Sequence, residues 1–191
     1  MERYILTGTP GAGKTTLLRE LARRGYPVVA EAATDLIAAA QARGVPEPWA
    51  EPSFLAEVVG LQRERQLGAG TAAVQLFDRS PVCTHALAAY LGRPAPPELT
   101  AELDRIASEA VYERQVLFVR TLGFVERTPV RQIDHQEALV FERLHEESYR
   151  RHGFELVEIP PAPLAERVAL AEAELSRLRA ARARSGGPPG R

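Results

Sequence analysis

The chain has 191 residues, 45% of them hydrophobic and 26% charged, with a formal net charge of −1. Those values suit one globular domain, and near-neutrality removes the electrostatic case for a nucleic-acid or membrane surface. No apolar run approaches a membrane span, Met1-Glu2-Arg3 lacks the apolar core of a secretory signal, and the lone Cys83 rules out an internal disulfide, so the expectation is a cytoplasmic protein.

Taken in order, the elements alternate between strand and helix. Arg3 to Thr7 reads as a strand and Gly13 to Arg24 as its helix, and Tyr26 to Ala30 is a second short strand entered at Gly25. Thr34 to Arg43 is helical and stops at Gly44, a natural C-cap. Val45 to Trp49 holds two prolines and reads as a loop, and Pro52 to Leu67 as a helix ending at Gly68-Ala69-Gly70. Thr71 to Phe77 is apolar enough for a central strand. Pro81 to Leu91 and Pro97 to Tyr112 are helices, Gln115 to Arg120 is the fourth strand, and a loop follows as far as Arg131. Ile133 to His152 is a long helix, Phe154 to Ile159 the fifth strand, and Pro163 to Arg182 the last helix. This alternation predicts a mostly parallel α/β sheet covered on both faces, one domain over residues 1–182, with 183–191 a disordered, low-complexity tail.

The strongest chemical signal is Gly8-Thr9-Pro10-Gly11-Ala12-Gly13-Lys14-Thr15, a complete GxxxxGK[ST] pattern between the first strand and its helix. The glycines let successive N–H groups turn inward, and the helix adds its positive dipole end. Gly8, Pro10, Gly11, Ala12, Gly13, Lys14, Thr15 and Thr16 therefore form the expected phosphate cradle of a nucleoside triphosphate. Lys14, expected on a solvent-facing loop, reaches the β- and γ-phosphates, and the Thr15 hydroxyl ligates magnesium.

Three further signals surround the loop. Asp78-Arg79-Ser80 follows the third strand, at the sheet end where ligands bind in open parallel sheets. Asp78 there either orients a magnesium shell or takes a proton, with Arg79 beside it to hold an anion; the bland alternative is a helix N-cap. Glu31 follows the second strand and is placed to act as a base on an acceptor hydroxyl, or merely to complement the next helix along with Asp35. Arg127 and Arg131 lie in the segment before the long helix, where a closing lid would bring guanidinium groups to a transferring phosphoryl; Arg120 may only finish its strand. Trp49, Phe54 and Tyr90 could stack on a planar acceptor, with Gln62 and Arg65 adding polar contacts, although such aromatics are commonly core. Cys83 reads as small-residue packing, since no cysteine or histidine cluster has metal-ligand spacing.

GTPGAGKTTLL (8–18), RGYPVVAEAATDLI (24–37), FDRS (77–80), the loop ending at Arg131 and GFELVEIP (153–160) together resemble the small AAA-type P-loop ATPase/kinase family. That family is related to the nicotinamide riboside kinase domain and, more distantly, to deoxynucleoside and thymidylate kinases. The resemblance spans roughly residues 2–180. It implies a three-layer α/β/α sandwich, a five-stranded parallel sheet in the order 2-3-1-4-5, and a lid. It also implies acidic residues after strands two and three, here Glu31 and Asp78, and lid arginines, here Arg127 and Arg131. Relatives often carry an arginine where Thr34 stands.

The reading reached from these residues is an ATP- and Mg2+-dependent phosphotransferase for a small hydroxyl-bearing, nucleoside-like acceptor. The alternative is a P-loop NTPase switch without a small-molecule acceptor, working on a protein partner; a homo-oligomer also stays open. GTP is disfavoured because no Asn-Lys-x-Asp pattern occurs, and a motor ATPase because no helical domain follows the core.

Overall fold

The computed structural model describes residues 1–122 and 135–185. The strands are β1 (Glu2–Thr7), β2 (Val28–Val29), β3 (Val74–Asp78), β4 (Gln115–Val119) and β5 (Glu155–Ile159). The helices are α1 (Lys14–Arg23), α2 (Ala32–Ala42), α3 (Phe54–Gly68), α4 (Pro81–Tyr90), α5 (Pro97–Ser108), α6 (His135–Arg151) and α7 (Leu164–Ser185). The strands form one sheet in the order β2-β3-β1-β4-β5, with every pairing parallel. The implied order and the three-layer arrangement are therefore observed.

The sheet is central because its strands carry apolar residues on both faces, alternating with a period of two. Tyr4, Leu6, Leu76, Leu117 and Val119 join α1 and α7 in one core through Leu17, Leu21, Val168 and Leu175. Their neighbours Ile5, Phe77 and Val116 enter a second core with Val82 on α4, Leu99 and Ile106 on α5 and Tyr149 on α6. Each such side chain contributes about 1.5–3 kcal/mol when fully buried, so both layers are held by the same strands. A third cluster (Ala32, Phe54, Leu55, Val58, Ala88) joins α2, α3 and α4 beside the sheet. Among the described residues no helix is long and apolar enough to cross a membrane.

Several boundaries differ from the sequence expectation, β2 among them, which is only Val28–Val29 instead of Tyr26 to Ala30. β3 begins at Val74 instead of Thr71. α5 ends at Ser108, not Tyr112, because Ala110 takes a left-handed φ of 46°. Tyr112 then packs edge-on against Phe77, with ring centroids 5.1 Å apart. The proline loop contains a 3-10 turn over Pro48–Ala50. α7 runs on to Ser185, into the stretch expected to be disordered; residues 186–191 lie outside the described residues, as do Arg127 and Arg131.

The phosphate-loop backbone explains its glycines. Gly8, Gly11 and Gly13 adopt φ of 138°, 88° and 74°, all in the region disfavoured for residues with a Cβ. At Gly8 a Cβ would fall 2.2 Å from the carbonyl oxygen of Val119 on the neighbouring strand. Gly8→Ala is expected to cost about 3 kcal/mol, from backbone strain and this collision with main chain. A denaturant midpoint unchanged from wild type would show instead that the loop and β4 can separate freely.

Candidate active site

The carboxyl ends of β1, β2 and β3 open into one cavity of about 860 Å³. Its wall includes Pro10, Lys14 and Thr15 of the phosphate loop, Glu31 after β2, and Asp78 and Arg79 at the end of β3. Parallel pairing of β1 with β3, in which Leu6 faces Asp78, is what sets the end of β3 beside the start of the loop. Thr16 is exposed beside Thr15, whereas Ala12 is fully buried beneath the loop.

Lys14 corrects the sequence expectation. It is only 6% exposed, and its Nζ donates to the carbonyl of Thr9 at 2.8 Å. Burial, together with the positive charge of Arg79, pushes its ammonium down to about 7, while Asp78 and Glu31 oppose the shift. The long stem reaches back into the loop, where the buried ammonium is satisfied by a backbone carbonyl.

Glu31 and Arg79 form a close ion pair, Arg79 Nε to Glu31 Oε1 at 2.5 Å, with side chains 10% and 21% exposed respectively. Thr34 donates its hydroxyl to the other carboxylate oxygen of Glu31 at 2.8 Å. Burial alone would raise the Glu31 carboxyl, but the charges of Arg79 and Lys14 outweigh it and hold the group below its ordinary value. Glu31 does occupy the N-cap position of α2, but its carboxylate makes no capping bond to the helix. It is engaged with the cavity cations instead.

Arg79 is held on three sides. Its backbone has a left-handed φ of 73°, a conformation that costs a non-glycine residue about 1–3 kcal/mol. Its N–H donates to the carbonyl of Leu6 at 3.1 Å. Its Nη1 lies 3.0 Å from Nε2 of His145, whose Nδ1 is 2.9 Å from the carbonyl of Phe141. A carbonyl can only accept, so Nδ1 carries the proton and Nε2 accepts from the guanidinium. Burial and then the Arg79 charge push the imidazolium form of His145 down to about 3, so the ring stays neutral. Phe141, His145 and Tyr149 recur every four residues on one face of α6, and all three are buried. That periodicity was the available sign of this histidine, and reading the segment only as a long helix missed it.

Asp78 is not a helix cap. The N-cap position of α4 belongs to Ser80, with Pro81 following as the first helical residue. One carboxylate oxygen of Asp78, Oδ1, is buried without a hydrogen-bond partner. Burial and the neighbouring Glu31 raise its carboxyl to about 6, against the pull of Lys14 and Arg79. Beneath it, Cys83 is more than packing. Its Sγ lies 3.0 Å from the Thr7 hydroxyl and 3.1 Å from that of Tyr149, which also meets Ser80 Oγ at 2.9 Å.

The cavity is also lined by Trp49, Phe54, Gln62, Thr84, Tyr90 and Phe141. Tyr90 and Phe141 stack with ring centroids 4.7 Å apart, and Thr84 donates to Gln62 Oε1 at 2.9 Å. Phe54 is also core, only 3% exposed. Arg65 lies beside this cavity, in a small recess lined also by Gln62, Asp78 and Arg79. Its guanidinium donates to the carbonyls of Ala30 and Glu31 and to Asp35 Oδ2, at 3.1, 2.5 and 2.6 Å. It ties α3 to the start of α2 and is absent from the cavity wall, because two strand-end carbonyls and a carboxylate already satisfy its donors. Arg120 likewise has a structural setting, paired with Glu142, Glu146 and Glu158.

Magnesium is implied by this loop, and the residues present fit it. The unpartnered Asp78 Oδ1 and the exposed Thr15 are uncommitted oxygen donors at the same cavity. So small a protein share suits an ion that keeps waters and nucleotide oxygens in its shell.

Solved structures with this fold include deoxyadenosine kinase from M. mycoides. With bound dATP, its TM-score is 0.56 at 14% identity, over 91% of this chain and 99% of that one. The same enzyme with dCMP and dCDP products gives 0.60 at 14% identity, over 92% and 99%. NadR protein in complex with NAD and AMP-PNP gives 0.59 at 16% identity, over 83% of this chain but 44% of that one. None of the curated proteins matches the chain in sequence. A family model described as an AAA domain matches residues 3–167, and with the observed sheet order and phosphate loop the chain belongs to that AAA domain family, built on the fold of P-loop kinases.

Proposed function

We propose that the protein is an ATP- and Mg2+-dependent kinase that phosphorylates a hydroxyl group of a small, nucleoside-like molecule. The observation that carries this reading is one cavity of about 860 Å³ whose lining joins the phosphate loop, two carboxylates and an arginine to the aromatic residues Trp49, Phe54, Tyr90 and Phe141. A nucleotide switch needs no room beyond the nucleotide, whereas an acceptor kinase does. The named ligands of the structural neighbours, dATP, dCMP with dCDP, and AMP-PNP, support a nucleotide site without choosing its base.

In this reading the loop amides and Lys14 hold the β- and γ-phosphates, Lys14 leaving the Thr9 carbonyl for the phosphate oxygens. Thr15 and Asp78 would hold magnesium, which neutralises charge on the phosphates when bound. Glu31, kept ionised by Arg79 and Lys14, accepts the proton of the acceptor hydroxyl. That proton leaves late in a loose phosphoryl transfer, so position matters more than basicity. Arg79, locked by Glu31 and His145, presents positive charge at the transferring group. Arg127 and Arg131 are proposed to add theirs from the lid. Gln62, its oxygen already engaged by Thr84, keeps its amide N–H groups to donate to a heterocycle stacked on Trp49 or Tyr90.

The test is ADP release from ATP with and without a panel of nucleosides and sugars, with mass detection of the phosphorylated product. Acceptor-dependent release with a product one phosphoryl heavier is expected. Slow release indifferent to every acceptor would overturn the kinase reading in favour of a switch.

A further inference from the structure

Behind the phosphate loop, on the side away from the cavity, lies a second arginine that neither the motif nor the cavity accounts for. Arg167, in the first turn of α7, is 3% exposed. Its Nη1 donates to the carbonyl of Ala12 at 2.6 Å and its Nη2 to that of Gly13 at 3.5 Å. Its Nε is buried without a partner, and among the described residues it has no carboxylate in ion-pair range, unlike Arg120 or Arg105. The guanidinium also lies flat against the loop, for a Cβ on Gly13 would meet Nη2 at 2.6 Å. Gly13 is therefore needed twice, for its φ of 74° and for the room it leaves Arg167.

A buried guanidinium without a counter-ion is costly, and carbonyl oxygens offset that cost only in part. Among the described residues nothing compensates this charge, and the nearest anion-binding element is the loop it touches. The link is the peptide plane. In a trans peptide the C=O and the following N–H point in opposite directions. Drawing the Ala12 carbonyl back toward α7 turns the Gly13 N–H forward; the Gly13 carbonyl is held first by the Leu17 N–H of α1 at 3.1 Å, with Arg167 as a longer second donor. Arg167 is not part of the cavity wall, so its effect on a nucleotide passes through the Gly13 amide and through its charge.

We infer that Arg167 is a positioning residue for the triphosphate, orienting the Gly13 amide from behind the loop and supplying buried positive charge beneath it. This rests on the reading of the loop as a nucleotide site. It extends the phosphate site from the motif, residues 8–15, to a helix that begins about 150 residues later, and it gives α7 a part in binding beyond covering the sheet.

The experiment is calorimetric titration of the full chain with ATP, inorganic tripolyphosphate and adenosine, for wild type, Arg167→Met, Arg167→Lys and Val168→Ala. Val168 is a fully buried neighbour on α7 and reports what loosening the helix does by itself. Arg167→Met is expected to weaken ATP and tripolyphosphate equally, by roughly tenfold or more, the scale of losing one charged hydrogen bond. Adenosine binding should not change, and KM for ATP should rise far more than kcat falls. Arg167→Lys should recover part of the loss, since an ammonium can reach one carbonyl but not hold two. If the methionine variant fails to fold, the lysine variant carries the test, with a smaller loss of the same pattern. Wild-type tripolyphosphate affinity in a folded Arg167 variant, or a loss no larger than that of Val168→Ala at equal melting temperature, would overturn the inference while leaving the nucleotide site standing. Failure of wild type to bind either ATP or tripolyphosphate would remove the nucleotide reading and this inference together.

Discussion

Lys14→Met is expected to lower the phosphoryl-transfer rate by about a thousandfold, the scale of removing a charge-stabilising group from a site of this kind. Methionine keeps most of the buried stem, so the lost charge is tested without a large cavity. The same variant should be no less stable than wild type in the absence of nucleotide. Lys14 has its ammonium held down to about 7 by burial and by Arg79, so the folded state binds this proton less readily than the unfolded chain does. Wild-type stability from this group should therefore rise with pH between about 7 and the unfolded lysine value near 10.4. The variant should lack that rise. Thermal melts across this window, with and without ATP, check both halves: wild type gains stability with ATP, and the variant gains much less. A variant that turns over normally, or whose melting temperature collapses without ligand, would remove Lys14 from the phosphate site or make it structural.

Glu31→Gln and Asp78→Asn are expected to separate the two carboxylates. Glu31→Gln should lower kcat by roughly a hundredfold to ten-thousandfold, the range for a lost general base, with little change in ATP affinity. Asp78→Asn should also lower turnover by orders of magnitude, but with a higher magnesium concentration needed for half-maximal rate. The two differ in pH response as well. Asp78 is raised to about 6 by burial and by Glu31, so below that pH it is protonated and cannot serve the metal. Wild-type kcat/KM should therefore fall on the acid side near pH 6, and the Asp78→Asn profile should lose that limb. Because Lys14, Glu31 and Asp78 titrate as a cluster, the observed limb belongs to the group of three. Opposite outcomes, in which Glu31→Gln shifts the magnesium requirement and Asp78→Asn does not, would exchange the two roles. Activity in both variants near wild type would sink the mechanism.

Some of this site was legible because its signals are local. A phosphate loop works through the φ freedom of closely spaced glycines and a lysine at fixed spacing, and Gly8, Gly11 and Gly13 do take positive φ. Asp78, Arg79 and Glu31 were found by their place after strands, and the parallel sheet brings those strand ends together. Arg65 bonds the carbonyls of Ala30 and Glu31, a setting that a polar residue on α3 does not announce in sequence. The motif alone does not announce that the Lys14 ammonium is buried and bonded to the Thr9 carbonyl, because the spacing of the loop sets where the lysine sits and not how deeply its neighbours cover it.

By itself the sequence determined the class of fold, the order of its elements and the phosphate-binding chemistry, since alternating apolar periods and short glycine spacings act over a few residues. Only the tertiary structure decided which charges act on which. Arg79 meets His145 across 66 residues, and Arg167 meets Ala12 across 155. Contacts of that separation depend on how α6 and α7 pack against the sheet; local periodicity marks His145 as inward-facing but does not name its partner.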